Sequence, residues 1–217
     1  MVWTANLAYV VGLITTDGSL SKDGRHIDFT SKDYDQIKTF AKILKLKNKI
    51  GSKYRGEDHS SYCHRIQFGN VTFYRWLLKI GLKPNKSKTL GSLKVPSCYF
   101  ADFLRGHLDG DGYVSSFFGS RWKKSYRLHT TFISASLLHI NWLRDSIRKD
   151  YNIVGKINSH NNAFYLRFAK GKSIQLLKYL YYKKGLPSLE RKRSKITQAL
   201  GIIHKQAGML KLVYRHA

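Results

Sequence analysis

One residue pattern occurs twice in this chain and restricts its fold more than any other feature. Residues 7–18, LAYVVGLITTDG, and residues 100–112, FADFLRGHLDGDG, each carry an apolar stretch with an internal glycine before an Asp-Gly pair. In both copies the aspartate follows the glycine by five residues, which gives the pairs Gly12 with Asp17 and Gly106 with Asp111. The separation between the two copies, from Asp17 to Asp111, is longer than the roughly 20 to 50 residues of a solenoid repeat. It therefore predicts one internal duplication.

The segments that follow the two copies also correspond. Each copy precedes a strand-like stretch, a helix-like stretch, a strand pair, an amphipathic helix and a basic tract after a proline. Ser31 and Ser134 fall at the same place in the strand-like stretches. We therefore predict an α+β fold of two pseudo-symmetric αββαββα repeats, residues 1–93 and 94–217, the second ending in a basic tail. The antiparallel sheets would form a saddle, with the motif helices packed at its centre. Residues 115–126 are predicted to be a loop.

The charge of the chain indicates its partner. Lysine and arginine number 39 against 13 aspartates and glutamates, for a net charge of +26. In the folded state these positive charges repel one another, which favours a polyanionic partner that loses counterions on binding. A ribosome-associated or merely basic protein remains an alternative at this point. Hydrophobic residues make up 42%, which is enough for a packed interior and disfavours a disordered chain.

Other classes of protein are disfavoured. No apolar run approaches the roughly 20 residues of a membrane span, and the first residues lack the basic start of a secretory signal. Cys63 and Cys98 have no zinc-like or disulfide-like spacing. We expect an intracellular protein that is neither secreted nor bound to a membrane, in a compartment that the sequence leaves open.

The motif glycines predict where a metal would bind. Glycine within a helix is about 1 kcal/mol less favourable than alanine, so it usually has a packing reason. If the two helices touch at their glycines, the two aspartates lie side by side, where they repel each other next to the negative helix ends. A divalent cation with oxygen ligands resolves that repulsion. The predicted cofactor is Mg²⁺, with Mn²⁺ or Ca²⁺ as substitutes in binding, and the predicted ligands are Asp17, Asp111, Thr16 and Gly110.

The two motifs resemble those of a known family. VVGLITTDG, residues 10–18, and LRGHLDGDG, residues 104–112, are similar to the two motifs of single-chain LAGLIDADG homing endonucleases. The resemblance extends over nearly the whole chain. It implies a monomeric, metal-dependent, intron-encoded endonuclease that cuts a long asymmetric double-stranded DNA site and leaves short 3′ overhangs. Thr15 stands where the motif carries an aspartate, at a position that is largely structural in the family.

Two alternatives exist on the same fold. One is an intron maturase, whose partner would be intron RNA, and the other is a DNA-binding regulator without nuclease activity. Because both Asp17 and Asp111 are present, we favour the nuclease over a member that has lost its acids.

The resemblance also implies accessory residues. A polar residue at the end of the first strand often orders the attacking water, and a lysine in the basic tract helps to activate water or to neutralise the phosphate. The lysines could equally contact only the DNA backbone. The predicted accessory residues are Ser31, Ser134, Lys86 and Lys192, with Lys88 and Lys195 as alternatives to the lysines.

Alternation along the strands predicts the DNA contacts. A twisted antiparallel sheet fits the major groove, and alternate side chains reach the base edges. Ile27 and Phe29 predict the core side of one strand, so that their neighbours face the DNA. Any one of these residues could instead be an ordinary solvated strand residue. The predicted DNA contacts are Arg25, His26, Asp28, Thr30, Lys53, Arg55, Arg65, Gln67, Arg127, His129, Thr131, Lys156, Asn158, Tyr165 and Arg167.

Overall fold

The computed structural model describes residues 1–55, 61–119 and 125–213, of which residues 53, 55, 61 and 207–213 are described by their backbone alone. The first repeat consists of α1 (Ala5–Asp17), β1 (Gly18–Leu20), β2 (His26–Ser31), α2 (Tyr34–Leu44), β3 (Gly51–Arg55), β4 (Ser61–Gly69) and α3 (Val71–Lys79). The second repeat consists of α4 (Ser97–Asp109), β5 (Tyr113–Phe118), β6 (Tyr126–Ser134), α5 (Leu137–Tyr151), β7 (Lys156–His160), β8 (Ala163–Phe168), α6 (Lys170–Leu180) and α7 (Glu190–Val213).

The strands form two antiparallel sheets with the same topology. Their orders are β1-β2-β4-β3 and β5-β6-β8-β7, so each strand of the first repeat has a counterpart in the second. The predicted α+β fold of two αββαββα repeats is therefore confirmed. The predicted repeat boundary near residue 93 falls in a stretch between α3 and α4 that contains no helix or strand.

Two segments of the second repeat differ from the expectation. The prediction of a loop over residues 115–126 was wrong at both ends, because Ser115–Phe118 belongs to β5 and Tyr126, which pairs with Phe118, belongs to β6. The outer end of β5 is exposed and lacks the buried alternation that marks a strand in a sequence. The basic tract after Pro187 forms the helix α7, whereas the corresponding tract of the first repeat, residues 84–90, contains no helix.

Each sheet packs its helices against one face. In the first sheet Ile27, Phe29 and Ile66 are fully buried, and the ring of Phe29 stacks on Phe40 of α2 at 4.4 Å between centroids. Leu128, Phe132, Leu166 and Phe168 fill the same role in the second sheet. The predicted core sides of these strands are confirmed. The opposite face of each sheet, which points away from the helices, is called the open face below.

The helices α1 and α4 form the centre of the molecule. Residues 7–15 of α1 are all buried, which explains why this helix is apolar around its whole circumference. Thr4 begins the helix by accepting a hydrogen bond from the Leu7 amide at 3.1 Å. The two helices touch at Gly12 and Gly106, where neither residue has room for a Cβ atom. Among the described residues, no helix is long and apolar enough to cross a membrane.

Candidate functional site

Asp17 and Asp111 line the same cavity. The cavity measures about 470 Å³, and its walls are the end of α1, Asp111 just beyond α4, residues of β1 and β2, and residues in and next to the basic tract of the first repeat. Asp17 is the last residue of α1, as predicted. Asp111 does not end its helix, because α4 stops at Asp109 and the chain leaves helical geometry at Gly110. The other lining residues are Thr16, Gly18, Ser19, Leu20, Asp28, Thr30, Lys83, Asn85, Lys86 and Ser87.

Close contact between the repeats explains the early end of α4. Gly110 has φ −74° and ψ −106°, outside the helical region. A Cβ at Gly110 would lie 1.9 Å from Oγ1 of Thr16 and 2.8 Å from Oδ2 of Asp17. Glycine is therefore required here, since any side chain would push the end of α1 away from the end of α4.

The two carboxyl groups favour binding a proton or a cation. Burial, followed by the charge of Asp111, raises the pKa of Asp17 to about 7. Burial also raises the pKa of Asp111. Lys86 and Lys192 oppose both shifts but do not cancel them. A divalent cation between the carboxylates would stabilise their charged forms.

The donor set at this position suits a hard cation. Among the described residues, no three His, Cys, Asp or Glu side chains converge on one point, so a metal would need backbone carbonyls or water besides the two aspartates. The predicted ligands Thr16 and Gly110 each directly precede one of the aspartates. The Gly110 carbonyl already accepts a hydrogen bond from Lys192 at 3.0 Å, which leaves it a second lone pair. The residues therefore fit Mg²⁺.

Lys192 caps the C-terminal end of α4. Its Nζ donates to the carbonyl oxygens of Leu108, Asp109, Gly110 and Gly112 at 2.6 to 3.0 Å. The side chain is 9% exposed, and burial lowers its pKa to about 8. A lysine ammonium neutralises the negative end of a helix and satisfies carbonyls that have no partner there.

Lys86 is its counterpart in the first repeat. Its Nζ donates to the carbonyl oxygen of Gly18 at the end of α1. It is 6% exposed, and burial lowers its pKa to about 8. Lys88 and Lys195 are exposed instead. The structure thus brings Lys86 and Lys192, not the alternative lysines, to the helix ends that carry the aspartates.

The predicted accessory residues Ser31 and Ser134 each form a hydrogen bond within a local turn. Ser31 Oγ accepts from the Asp33 amide at 3.0 Å, and Ser134 Oγ accepts from the Ser136 amide at 3.1 Å. Ser31 also donates to Gln36 Oε1 at 2.6 Å, and both residues line a second cavity that contains Asp17. In the described part of the chain, neither serine belongs to the lining of the Asp17–Asp111 cavity.

The open face of the first sheet carries the predicted DNA contacts, and several of them are already paired. Arg65 Nε donates to Asp28 Oδ1 at 2.6 Å, and His26 pairs with Asp23. Thr30 Oγ1 lies 3.5 Å from the carbonyl oxygen of Asp17, beside the cavity. Arg25 and Gln67 are exposed, whereas the side chains of Lys53 and Arg55 lie outside the described residues.

The open face of the second sheet carries most of the predicted contacts of that repeat, but not Thr131. The predicted contacts Arg127, Lys156, Asn158 and Arg167 are exposed, and His129 and Tyr165 are partly buried. Thr131 is fully buried and cannot reach a base in this arrangement. It pairs across the strands with Tyr113 on one side and Arg167 on the other. Those two side chains meet above it, with Arg167 Nη2 3.4 Å from the Tyr113 hydroxyl.

Residues on β5 and at the contact between the repeats were not predicted from the sequence. Tyr113 and Phe117 lie on the open face, and Phe117 is 46% exposed. Their alternation with Val114 was the available signal, but the segment had been predicted as a loop. Asp33 and Arg191 form a bidentate ion pair between the repeats that no local pattern reveals.

A comparison with protein families identifies the first repeat. Residues 4–81 match the sequence model of the LAGLIDADG-like domain. The match covers most of the first repeat, which is therefore similar to that domain. A comparison with curated protein sequences gave no match.

Solved structures extend the LAGLIDADG fold to the whole chain. The homing endonuclease I-LtrWI bound to target DNA superposes with a TM-score of 0.58 at 14% identity, covering 97% of this chain and 96% of that one. I-GzeII in complex with its DNA target gives 0.59 at 14%, with 91% of each chain covered. Full-length WhiA from Thermatoga maritima gives 0.54 at 16%, covering 95% of this chain and 68% of that one. The LAGLIDADG fold with two repeats in one chain is thus confirmed, and homing endonucleases and WhiA share it.

Proposed function

We propose that the protein is a site-specific endonuclease that hydrolyses both strands of double-stranded DNA. The observation that carries the proposal is the paired arrangement at the centre of the fold. Two buried helices place Asp17 and Asp111 on one cavity, and Lys86 and Lys192 each hold the backbone at one of those helix ends. A protein that only binds DNA has no need for two carboxylates in a strongly basic chain, because they repel the phosphates.

Asp17 and Asp111 would hold Mg²⁺, with help from the carbonyls of Thr16 and Gly110. A bound divalent ion would neutralise charge on the scissile phosphate and activate the attacking water. Lys86 and Lys192 hold the carbonyls next to the ligands and keep positive charge close to the phosphates. Ser31 and Gln36 lie beside Asp17 and can accept or donate hydrogen bonds to a water there.

The two repeats give each DNA strand its own set of groups. One set consists of Asp17 and Lys86, and the other consists of Asp111 and Lys192. A twofold relation between the two sets fits one cut on each strand. The resemblance to the endonucleases implies short 3′ overhangs. The open faces of the sheets would read bases along a long asymmetric site through residues such as Gln67, Arg65 and Arg167. The DNA complexes of I-LtrWI and I-GzeII, which share the fold, support this placement. A monomer carries both halves of the site.

A second candidate is a DNA-binding regulator that does not cut. The similarity to WhiA over 95% of the chain favours it, since WhiA has the same fold. Both candidates predict DNA binding, and they differ in the role of the aspartates. For a regulator, Asp17 and Asp111 would only end two helices.

Selection of cleaved sites from a randomised duplex library, with Mg²⁺ or EDTA, tests the proposal and defines the target. We expect Mg²⁺-dependent cuts on both strands, and we expect Asp17→Asn and Asp111→Asn to bind the selected duplex but to cut it at least about 1000-fold more slowly. Asp35→Asn serves as a control, because it removes an acid that is exposed on α2 away from the cavity. DNA binding without Mg²⁺-dependent cleavage would support the regulator instead.

A further inference from the structure

The lysine tract of the second repeat is tied to the first repeat. Arg191, directly before Lys192, donates from Nε and Nη2 to the two carboxylate oxygens of Asp33 at 2.9 and 2.8 Å. Asp33 is the N-cap residue of α2 and belongs to the first repeat. A guanidinium that binds a carboxylate through two hydrogen bonds fixes both direction and distance. The start of α7 is therefore oriented by the opposite half of the molecule.

The lysine tract of the first repeat is held by the equivalent residue of the second repeat. Ser136 is the N-cap residue of α5 in the second repeat, the position that corresponds to Asp33. Its hydroxyl donates to the carbonyl oxygen of Leu90 at 2.5 Å, and the Leu90 amide donates to the carbonyl of Lys86 at 2.8 Å. Each N-cap residue thus contacts the lysine tract of the other repeat.

A second pair of contacts between the repeats follows three residues further along the same helices. Gln36 Nε2 donates to the Asp109 carbonyl at 3.1 Å, the same oxygen that receives Lys192 Nζ at 2.8 Å. In the other half, His139 Nδ1 lies 2.9 Å from the Gly91 carbonyl, next to Leu90. The first turn of α5 therefore holds the end of the first repeat's tract, whereas the first turn of α2 holds the start of α7 through Asp33 and the end of α4 through Gln36.

We propose that Asp33 and Ser136 are positioning residues that place the site lysines across the repeat boundary. Asp33 acts through Arg191 on Lys192, and Ser136 acts through Leu90 on Lys86. Neither residue touches the reacting atoms. The consequence for cleavage rests on the proposed nuclease function, whereas the placement of the lysines does not.

Loss of either contact, Asp33 with Arg191 or Ser136 with Leu90, should slow the cleavage of one DNA strand only. The Asp33–Arg191 pair is partly exposed, and such pairs add little to folding stability. Its loss should instead displace the first turn of α7, and small displacements of a catalytic group slow reactions strongly. Because Lys192 and Lys86 hold the backbone at different helix ends, loss of Asp33 should slow one cut and loss of Ser136 the other.

Strand-resolved cleavage of the selected duplex, with each strand labelled separately, tests this effect. Asp33→Asn should slow by about tenfold the cut that Lys192→Met also slows, so that nicked duplex accumulates. Ser136→Ala should slow the other cut, and Asp33→Glu should recover most of the rate. Asp35→Asn removes another acid from the first turn of α2 without contacting α7, so it should cut both strands at the wild-type rate. Equal slowing of both strands by Asp33→Asn, or no slowing, would overturn the inference.

Chemical acetylation gives a readout that does not depend on activity. Brief treatment with acetic anhydride, followed by peptide mass spectrometry, measures the reactivity of each buried lysine. Asp33→Asn should raise the acetylation rate of Lys192 severalfold and leave that of Lys86 unchanged, and Asp35→Asn should change neither. If the wild-type protein does not cut DNA, the proposed function fails while this measurement still decides the placement. Unchanged Lys192 reactivity in Asp33→Asn would show that the ion pair does not position the lysine.

Discussion

Gly12 and Gly106 lie so close together that a methyl group on either residue would overlap the backbone of the opposite helix. A Cβ at Gly12 would be 2.2 Å from the carbonyl oxygen of Phe103, and a Cβ at Gly106 would be 2.0 Å from that of Tyr9. Backbone atoms cannot move aside as a flexible side chain can. The distance between α1 and α4, and with it the distance between the two aspartates, is set by these glycines.

Gly12→Ala should therefore destabilise the protein by at least about 3 kcal/mol, because the two central helices must separate. Chemical denaturation followed by circular dichroism measures the loss. Gly201→Ala is the matched control, since Gly201 lies within α7 with no atom within 4 Å of an added Cβ. That change should stabilise the helix by roughly 0.5 to 1 kcal/mol. A Gly12→Ala protein as stable as the wild type would contradict this account of the helix contact.

A buried histidine pair should make stability depend on pH. His107 Nε2 and His139 Nε2 are 3.2 Å apart, and His139 Nδ1 lies 2.9 Å from the carbonyl oxygen of Gly91. The carbonyl requires the proton on Nδ1 of His139, so His139 Nε2 accepts from His107 and both rings are neutral. Burial lowers the pKa of His139 to about 4 and that of His107 well below its usual value.

Because the folded pKa values are lower than the roughly 6.5 of an unfolded histidine, their contribution is complete above pH 6.5 and is lost as pH falls toward 4. The free energy of unfolding should drop by about 2 kcal/mol between pH 7 and pH 5.5 from this pair. The double variant His107→Leu with His139→Gln, which introduces the residues found at the equivalent positions of the first repeat, should lose most of that dependence. Denaturation curves at several pH values test it, with the exposed His160→Gln as control. An equal pH dependence in the double variant would rule out the pair as its source.

Local patterns in the sequence were sufficient for the parts of the fold that depend on local contacts. The core sides of β2 and β6 follow from strict alternation, as Ile27, Phe29, Leu128 and Phe132 show. The contact between α1 and α4 was predictable because each of these helices contains a glycine. Asp17 was predictable as a helix end because a glycine follows it.

The remaining features depend on contacts between distant residues. Asp33 and Arg191 are 158 positions apart, and nothing near either residue indicates its partner. Thr131 has the alternation of an open-face residue, but side chains on two neighbouring strands cover it. Strand β5 escaped prediction because its outer residues, Phe117 and Phe118, are exposed and give no alternation of burial.

The ion pair between Arg105 and Asp102 marks a difference between the repeats. Arg105 is fully buried, and its Nη2 donates to Asp102 Oδ1 at 2.7 Å. It also donates to the carbonyl oxygens of Leu180 and Pro187, each at 2.8 Å, which ties α4 to the segment that leads into α7. All of its hydrogen bonds are therefore internal, and a change of one partner leaves the other charge buried and unpaired.

Arg105→Val should cost about 3 to 5 kcal/mol, because Asp102 loses its counter-ion in a buried position. The double variant Asp102→Ala with Arg105→Val carries the residue types of the equivalent first-repeat positions, Ala8 and Val11, and should regain part of that loss. A double-mutant cycle by chemical denaturation gives the coupling. Additive losses would mean that the two charges do not depend on each other.

Asp28 is an acid on the open face of a strongly basic chain. Its carboxylate holds Arg65 at 2.6 Å beside the cavity of the two aspartates. Asp28→Asn would release Arg65 to bind a phosphate and remove one repulsive charge, so binding to random duplex DNA should tighten. The slope of log Kd against log salt should steepen by about 0.9 for one added phosphate contact. Asp145→Asn changes the net charge equally on the exposed side of α5, where Asp145 pairs with Arg144, and should leave the slope unchanged. Fluorescence anisotropy over a range of salt concentrations measures both variants, and equal slopes would show that Asp28 does not restrain Arg65 from the DNA.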